Sequence, residues 1–340
     1  MRRVAPSVLV AYAIAATLMA DACGRVPPTG SLESPVASAT RTTTPSAAPS
    51  ASPSGCSTPA NRAGAAMAYM SNLKQAVLFG GSSLHGDSLG DTWIWSAGCW
   101  TERFPAHSPQ AEHEVVMAFD RSHGAALLYT PGIPVGTDQA TWRWDGVDWS
   151  KVADGPGIYG APAAVAYDGS KDNVVLFGAI DSAGATATWT WTGTAWRSMM
   201  PAHAPPARQD AAMAYDPNTG KVLLFGGMTI ADGRQRNDTW AWDGRDLTPV
   251  SPGVSPAPRE GMALTTFAVK SEVLLIGGWS TGPFSDVWTW NGITWRQAPS
   301  PGTRQNATAV DAGDSVLVFG GTLLSTANTD IWSGTSWRTT

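Results

Sequence analysis

Charge is scarce in this chain, and what there is does not cluster. Asp, Glu, Lys and Arg make up 14% of 340 residues, lysine occurs only five times, and no block of basic residues stands out. A nucleic-acid footprint needs cations gathered on one face, so nucleic acid is excluded as a partner. The formal net charge of -5 serves solubility. Five histidines (His85, His107, His113, His123 and His203) show no metal-ligand spacing, so no metal and no cofactor is expected. No phosphate loop and no nucleophile elbow occurs. The uncharged run at residues 8–19 is too short to span a bilayer. What is abundant is tryptophan, 17 residues of the largest side chain, which must be packed or displayed.

The chain opens with the basic Met1-Arg2-Arg3 and the uncharged run, the layout of a signal peptide over residues 1–22. Ala20-Asp21-Ala22-Cys23 follows and resembles the lipobox of bacterial lipoproteins. That resemblance implies cleavage before Cys23, lipid on Cys23, and a protein exported and held on the cell surface by its anchor alone. Asp21 departs from the small uncharged residue favoured there. The other reading is cleavage after Ala22 and plain secretion. The arginine pair lacks the surroundings of a twin-arginine signal. Residues 23–60 are nearly all Ser, Thr, Pro, Ala and Gly, with too little apolar surface to offset the entropy of ordering. They are expected to be a disordered tether. With Cys23 lipidated, Cys56 and Cys99 remain. In an oxidising compartment they are expected to form a disulfide pinning the tether to the first repeat, free thiols being the alternative.

From residue 61 to 340 one pattern recurs, clearest at residues 273–295: an apolar run, Gly277-Gly278, a polar loop, Asp286, Trp288-x-Trp290, Gly292 and Trp295. The second Trp of the pair falls at 95, 144, 191, 242, 290 and 332, at spacings of 49, 47, 51, 48 and 42. Five residues on stand Trp100, Trp149, Trp196, Leu247, Trp295 and Trp337, and sixteen of the seventeen Trp occupy repeat positions. Each repeat predicts four short strands. The first is small and apolar (65–69, 115–119, 163–167, 211–215, 261–265, 306–310). A turn such as Asp216-Pro217-Asn218-Thr219-Gly220 leads to a fully buried second strand ending in the glycine pair. The third is Trp-x-Trp, with both indoles on one face, and the fourth starts at the last Trp. Such a unit cannot bury its faces alone, and six around an axis can. The expectation is an all-β, six-bladed β-propeller. The motif resembles the kelch repeat of the galactose oxidase-like superfamily. Repeat 6 departs from it, with Asp330 at the first Trp position. The ring is expected to close without strand exchange, unless residues near Cys56 pair with the last blade. A residue present in every blade is better explained by packing than by six sugar sites.

Candidate ligand residues lie on the loops joining second to third strands and fourth strands to the next blade. Arg62, Arg208, Arg259 and Arg304 each precede a first strand, with Glu112 and Gly160 in the other two blades. Guanidinium forks match carboxylates, so these arginines point to a pocket for an acidic ligand. The competing reading is structural, an arginine tying one blade to the next through backbone carbonyls. Glu260, or Glu112, His113 and Glu114, would supply an acid or base there. Trp279, the one Trp outside the repeat, is either a stacking platform or a cover for a neighbouring blade. Copper chemistry of the galactose oxidase type lacks a ligand set, and the Ser-x-Asp-x-Gly-x-Thr-Trp box of sialidases is absent, Trp290 standing where its Asp belongs. The favoured function is a binding or scaffold module for a glycan or protein. The alternative is a sugar-acid enzyme, similar in architecture to bacterial N-acetylneuraminate epimerases.

Overall fold

The computed structural model describes residues 55–132, 139–180, 186–321 and 328–340. The leader at 1–22, Cys23 and most of the tether lie outside them. The described residues form one compact unit. It is a six-bladed β-propeller, each blade an antiparallel sheet of four strands in sequence order, and in blade 4 a short strand Met228–Thr229 between the second and third pairs with Arg208–Gln209 instead. In blade 1 these are Ala66–Met70, Gln75–Phe79, Thr92–Ser96 and Cys99–Arg103. In blade 5 they are Ala263–Phe267, Glu272–Ile276, Val287–Trp290 and Trp295–Ala298. The first strands of all six blades touch in a closed ring.

The cores lie between blades, which is why one blade cannot fold alone. Trp144 and Trp149 of blade 2 pack on Phe79 and Ile94 of blade 1, and Trp290 and Trp295 of blade 5 pack on Leu223 and Phe225 of blade 4. Both indoles of each pair do share a face, and that face meets the preceding blade. All six second-position Trp are buried. Each burial of this size contributes several kcal/mol.

A hydrogen bond of one kind is threaded through four of the six interfaces. The indole N–H of the last Trp donates to a threonine of the preceding blade: Trp149 to Thr92 at 2.9 Å, Trp196 to Thr141 at 2.8 Å, Trp295 to Thr239 at 3.3 Å and Trp100 to Thr329 at 2.8 Å. The two exceptions follow from the residues that stand at these positions. Blade 4 has Leu247 for the last Trp, and the Thr188 hydroxyl it would have used is buried without a partner. Blade 5 has Val287 for the threonine, and Trp337 donates to the Pro299 carbonyl instead.

The first strands start one or two residues later than the sequence predicts, except in blade 3, whose strand is Tyr159–Asp168. The cause is a belt of backbone bonds around the axis. Glu114 N–H donates to Gly64 at 3.2 Å, Gly64 to Asn306 at 3.0 Å, Asn306 to Gly261 at 2.8 Å and Gly261 to Asp210 at 3.0 Å. Those five residues all have positive φ, 51 to 62°. Backbone turned sideways toward the next blade cannot also run in a strand. At blade 3 the same position is Pro162, which has no N–H to give.

The ring closes without strand exchange. Gly321 N–H donates to the Arg62 carbonyl at 2.8 Å, repeating between blades 6 and 1 the bond Gly278 makes to Arg304 between blades 5 and 6. The glycine pair is required for this approach: a Cβ at Gly277 would stand 2.1 Å from the Arg304 carbonyl oxygen, and one at Gly320 would stand 2.5 Å from that of Arg62. Among the described residues, the tether's backbone bond goes to blade 1 and not to the last blade. Ser57 N–H donates to Trp100 of blade 1 at 3.1 Å, beside a Cys56–Cys99 disulfide with Cα atoms 5.3 Å apart.

Candidate functional site

The four arginines are not at the rim of the channel. Arg62, Arg208 and Arg259 are fully buried and Arg304 nearly so, and each side chain stays inside its own blade. Arg259 donates twice to Asp286, at 2.6 and 2.9 Å, and to the Gly277 carbonyl at 2.9 Å. Phe284 covers its guanidinium, 3.9 Å from the ring centroid. Arg62 does the same with Asp91 and Gly80, and Arg208 with Asp238 and Gly226. These three aspartates also accept an indole N–H from Trp93, Trp240 and Trp288. Blade 6 has no such Trp. Asp330 occupies that position and binds Arg304. The arrangement is an intra-blade clamp that ties the strand entry to the second and third strands. The arginine backbone, not its side chain, reaches the neighbouring blade: the Arg304 carbonyl accepts from Gly278 at 2.8 Å and its N–H donates to Phe284 at 3.2 Å. Blades 2 and 3 lack both halves, having Glu112 with Ala140 and Gly160 with Ala187. Burial works to raise Asp91, Asp238 and Asp286, but hydrogen bonds and charge from the arginines hold all three below the ordinary carboxylate range.

With those cations enclosed, three carboxylates mark this end of the channel, while Arg236 on the adjoining blade-4 loop is paired with Asp232 at 2.6 Å. Glu260 and Trp279 are brought together by reciprocal backbone bonds, 3.0 and 2.8 Å, and Gln235 donates to the Glu260 carboxylate at 3.3 Å. Trp279 is half-buried. Asp210, which sequence reasoning did not single out, lies within electrostatic reach of both Glu114 and Glu260. Burial first, then those two carboxylates, push its carboxyl up to about 7. Burial also raises Glu260. Glu112 is buried and does not face this mouth with Glu114, while His113 bonds Ser88 at 3.0 Å. The one available sign of Asp210 was its register: it is the repeat equivalent of Glu114.

A cavity lies at the opposite end, under the turns between first and second strands. Its volume is about 460 Å³, within the range of small-ligand sites. Period two along the first strands builds it. Met67, Met117, Val165, Met213, Leu264 and Ala309 face the channel, and two residues on come Tyr69, Phe119, Tyr167, Tyr215, Thr266 and Asp311. These last six form a collar, one from each blade, all half-buried. Arg121 lies 5.6 Å over the Tyr167 ring. Burial, then Asp172, push the Tyr167 phenol up to about 12, and burial with Asp314 and Asp311 raises Tyr69. Asp311 accepts backbone N–H groups from Ala268 and Gly313, both at 3.0 Å, and burial holds its carboxyl above the ordinary range.

Among the described residues no group of three His, Cys, Asp or Glu is placed to hold a metal ion, and no helix is long and apolar enough to cross a membrane. In comparison with known proteins, the chain matches no family model and no curated protein.

Proposed function

We propose that this propeller is a kelch-type binding or scaffold module for a glycan or a protein, exported and anchored through lipid on Cys23. The observation that carries the binding reading is the aromatic collar around an open axial cavity of about 460 Å³. Four rings from four successive blades, partly out of water and unused by the blade clamps, are the surface of a recognition site. The leader, the lipobox-like Ala20-Asp21-Ala22-Cys23 and the Ser/Thr/Pro-rich tether support the address. The test is a glycan array and a cross-linking pull-down with the full chain, repeated with Tyr215→Ala. A partner lost in the variant supports the reading, and a partner retained removes the collar from it. Lipid-analogue labelling of a bacterial host, with and without Cys23→Ala, tests the anchor. Secretion without label is the alternative.

A specific observation favours a second reading, an enzyme acting on a sugar acid. At the other mouth Glu260, Glu114 and Asp210 converge, and Asp210 sits near neutrality, where a proton-transfer group works best. Glu114 holds φ +60°, a conformation a long side chain adopts at a cost. Anomer exchange of sialic acid followed by NMR, abolished by Glu260→Gln, would favour this enzyme. No acceleration would leave the binding module.

A further inference from the structure

The collar is not six-fold, and its asymmetry specifies a ligand. Blades 1 to 4 place Tyr69, Phe119, Tyr167 and Tyr215 around the opening. Blades 5 and 6 place Thr266 and Asp311 at the same register. An occupant meets rings on one side and oxygen acceptors on the other, over an apolar floor that includes Met67, Met117 and Met213.

Three classes of ligand can be weighed against this. An anion would approach the Asp311 carboxylate, with Arg121 the one basic side chain on the cavity wall. The Arg62, Arg208, Arg259 and Arg304 guanidinium groups are shut inside blades and give it no help. A wholly apolar ligand would strip water from Asp311, which keeps unused acceptor sites: two backbone N–H groups occupy two of roughly four lone-pair positions. Such a group is costly to dehydrate without donors. A pyranose satisfies both sides, since its C–H face stacks on aromatic rings and its hydroxyls donate to a carboxylate. Thr266 donates its own hydroxyl to the Tyr215 carbonyl at 2.7 Å, so toward the cavity it too offers lone pairs. Every polar group on that side asks for a donor.

We infer that this mouth takes the end of a neutral saccharide, ring against the Tyr/Phe arc and hydroxyls on Asp311 and Thr266, and selects against acidic sugars. The inference rests on the binding-module reading and narrows its ligand class. It also reverses the acidic preference that the sequence suggested, because the cations behind that preference are enclosed.

The experiment is titration calorimetry with saturation-transfer NMR on the full chain. The probes are cellobiose, lactose and N,N′-diacetylchitobiose, set against 3′-sialyllactose and glucuronic acid. The expected result is binding of a neutral probe, with saturation strongest on one face of its terminal ring. Tyr215→Ala and Asp311→Asn should each weaken it by about ten-fold or more, as loss of a stacking partner or of a charged hydrogen-bond acceptor does. Asp311→Asn should narrow the gap to the acidic probes. Unchanged melting of both variants shows that the effect is at the site. Preference for the acidic probes, or affinity indifferent to both variants, overturns the inference. If no neutral probe binds but a protein or acidic partner is captured and lost in Tyr215→Ala, the saccharide inference falls and the binding module stands. If no partner of any kind binds while Glu260-dependent anomer exchange appears, the binding module falls too.

Discussion

The threonine–indole bonds between blades allow one prediction in which the same substitution has opposite signs at equivalent positions. Thr92 and Thr188 occupy the same place in blades 1 and 3, both 1% exposed. Thr92 accepts the Trp149 indole at 2.9 Å, whereas Leu247 holds the repeat position of that Trp in blade 4 and the buried Thr188 hydroxyl has no partner. Valine replaces either with nearly the same shape. At 92 it leaves a buried indole N–H without an acceptor, which costs about 1–3 kcal/mol. At 188 it removes a buried hydroxyl that was bonding nothing, which is neutral or stabilising by about 1 kcal/mol. Thr92→Val and Thr188→Val should therefore differ by about 2 kcal/mol, or several degrees of melting temperature at most for a domain this large. Urea unfolding followed by tryptophan fluorescence reads the difference directly, with Thr141→Val as a second bonded site. Equal losses at 92 and 188 would refute the argument, as would no loss at 92 and 141.

Other perturbations follow from the clamps, the acidic mouth and the tether. Trp290→Ala should lose about 3–5 kcal/mol, since the ring is 1% exposed and its N–H is bonded to Asp216; unchanged melting would show that the ring faces water. Asp286→Asn leaves Arg259 buried and undercompensated and should cost about 3 kcal/mol, more than the paired Arg259→Met/Asp286→Ala, because blades 2 and 3 stand without either half. The clamp aspartates are depressed, so their contribution is complete above about pH 3.9 and is lost as pH falls through their lower folded values; an acid limb in a stability–pH curve is the readout. Asp210 has the opposite sign: raised to about 7, it favours the fold most when protonated and loses that advantage as pH climbs from about 4 to 7. Asp210→Asn should thus stabilise at pH 8, by at most about 4 kcal/mol, and not at pH 4. Reduction of the Cys56–Cys99 bridge, which spans 43 residues, should cost about 2–4 kcal/mol, and an unchanged melt in reductant would remove its role.

The six blades were legible because packing writes itself into every copy. The second Trp and the last Trp recur at a fixed offset of five, the glycine pair precedes them in four blades, and each proves to be an inter-blade contact. The destination of the arginines was less legible. A guanidinium before a strand reads as a rim charge until its partner is found, and that partner lies 26 to 30 residues on. The clue was in the sequence: Arg62, Arg208 and Arg259 each have an Asp before Trp-x-Trp, and blades 2 and 3 lack both members. Blade 6 hides the rule by moving its acid to Asp330. The collar was missed because AMAY and VMAF read as small apolar strands, while their aromatic ends lie two residues beyond the channel-facing methionines.

Positions that are alike in all blades and positions that differ do different work. The six second-position Trp are all buried, and each is set into a contact that the next blade repeats. Selection for a closed ring acts on those positions equally, so they carry no information about a ligand. The channel ends are free of that demand. At one end the belt residues are Gly64, Glu114, Pro162, Asp210, Gly261 and Asn306, and at the other the collar runs from four rings to Thr266 and Asp311. A symmetric scaffold needs no such variation for its stability. It needs it to present a surface that is apolar on one side and polar on the other, which is what an asymmetric ligand on the axis requires. By this argument, replacing Thr266 and Asp311 with tyrosine, making the collar uniform, should abolish binding at that mouth, at a stability cost of about 1–3 kcal/mol for the backbone N–H groups of Ala268 and Gly313 that Asp311 accepts. Binding that survives a uniform collar would mean that the ligand sits elsewhere on the disc.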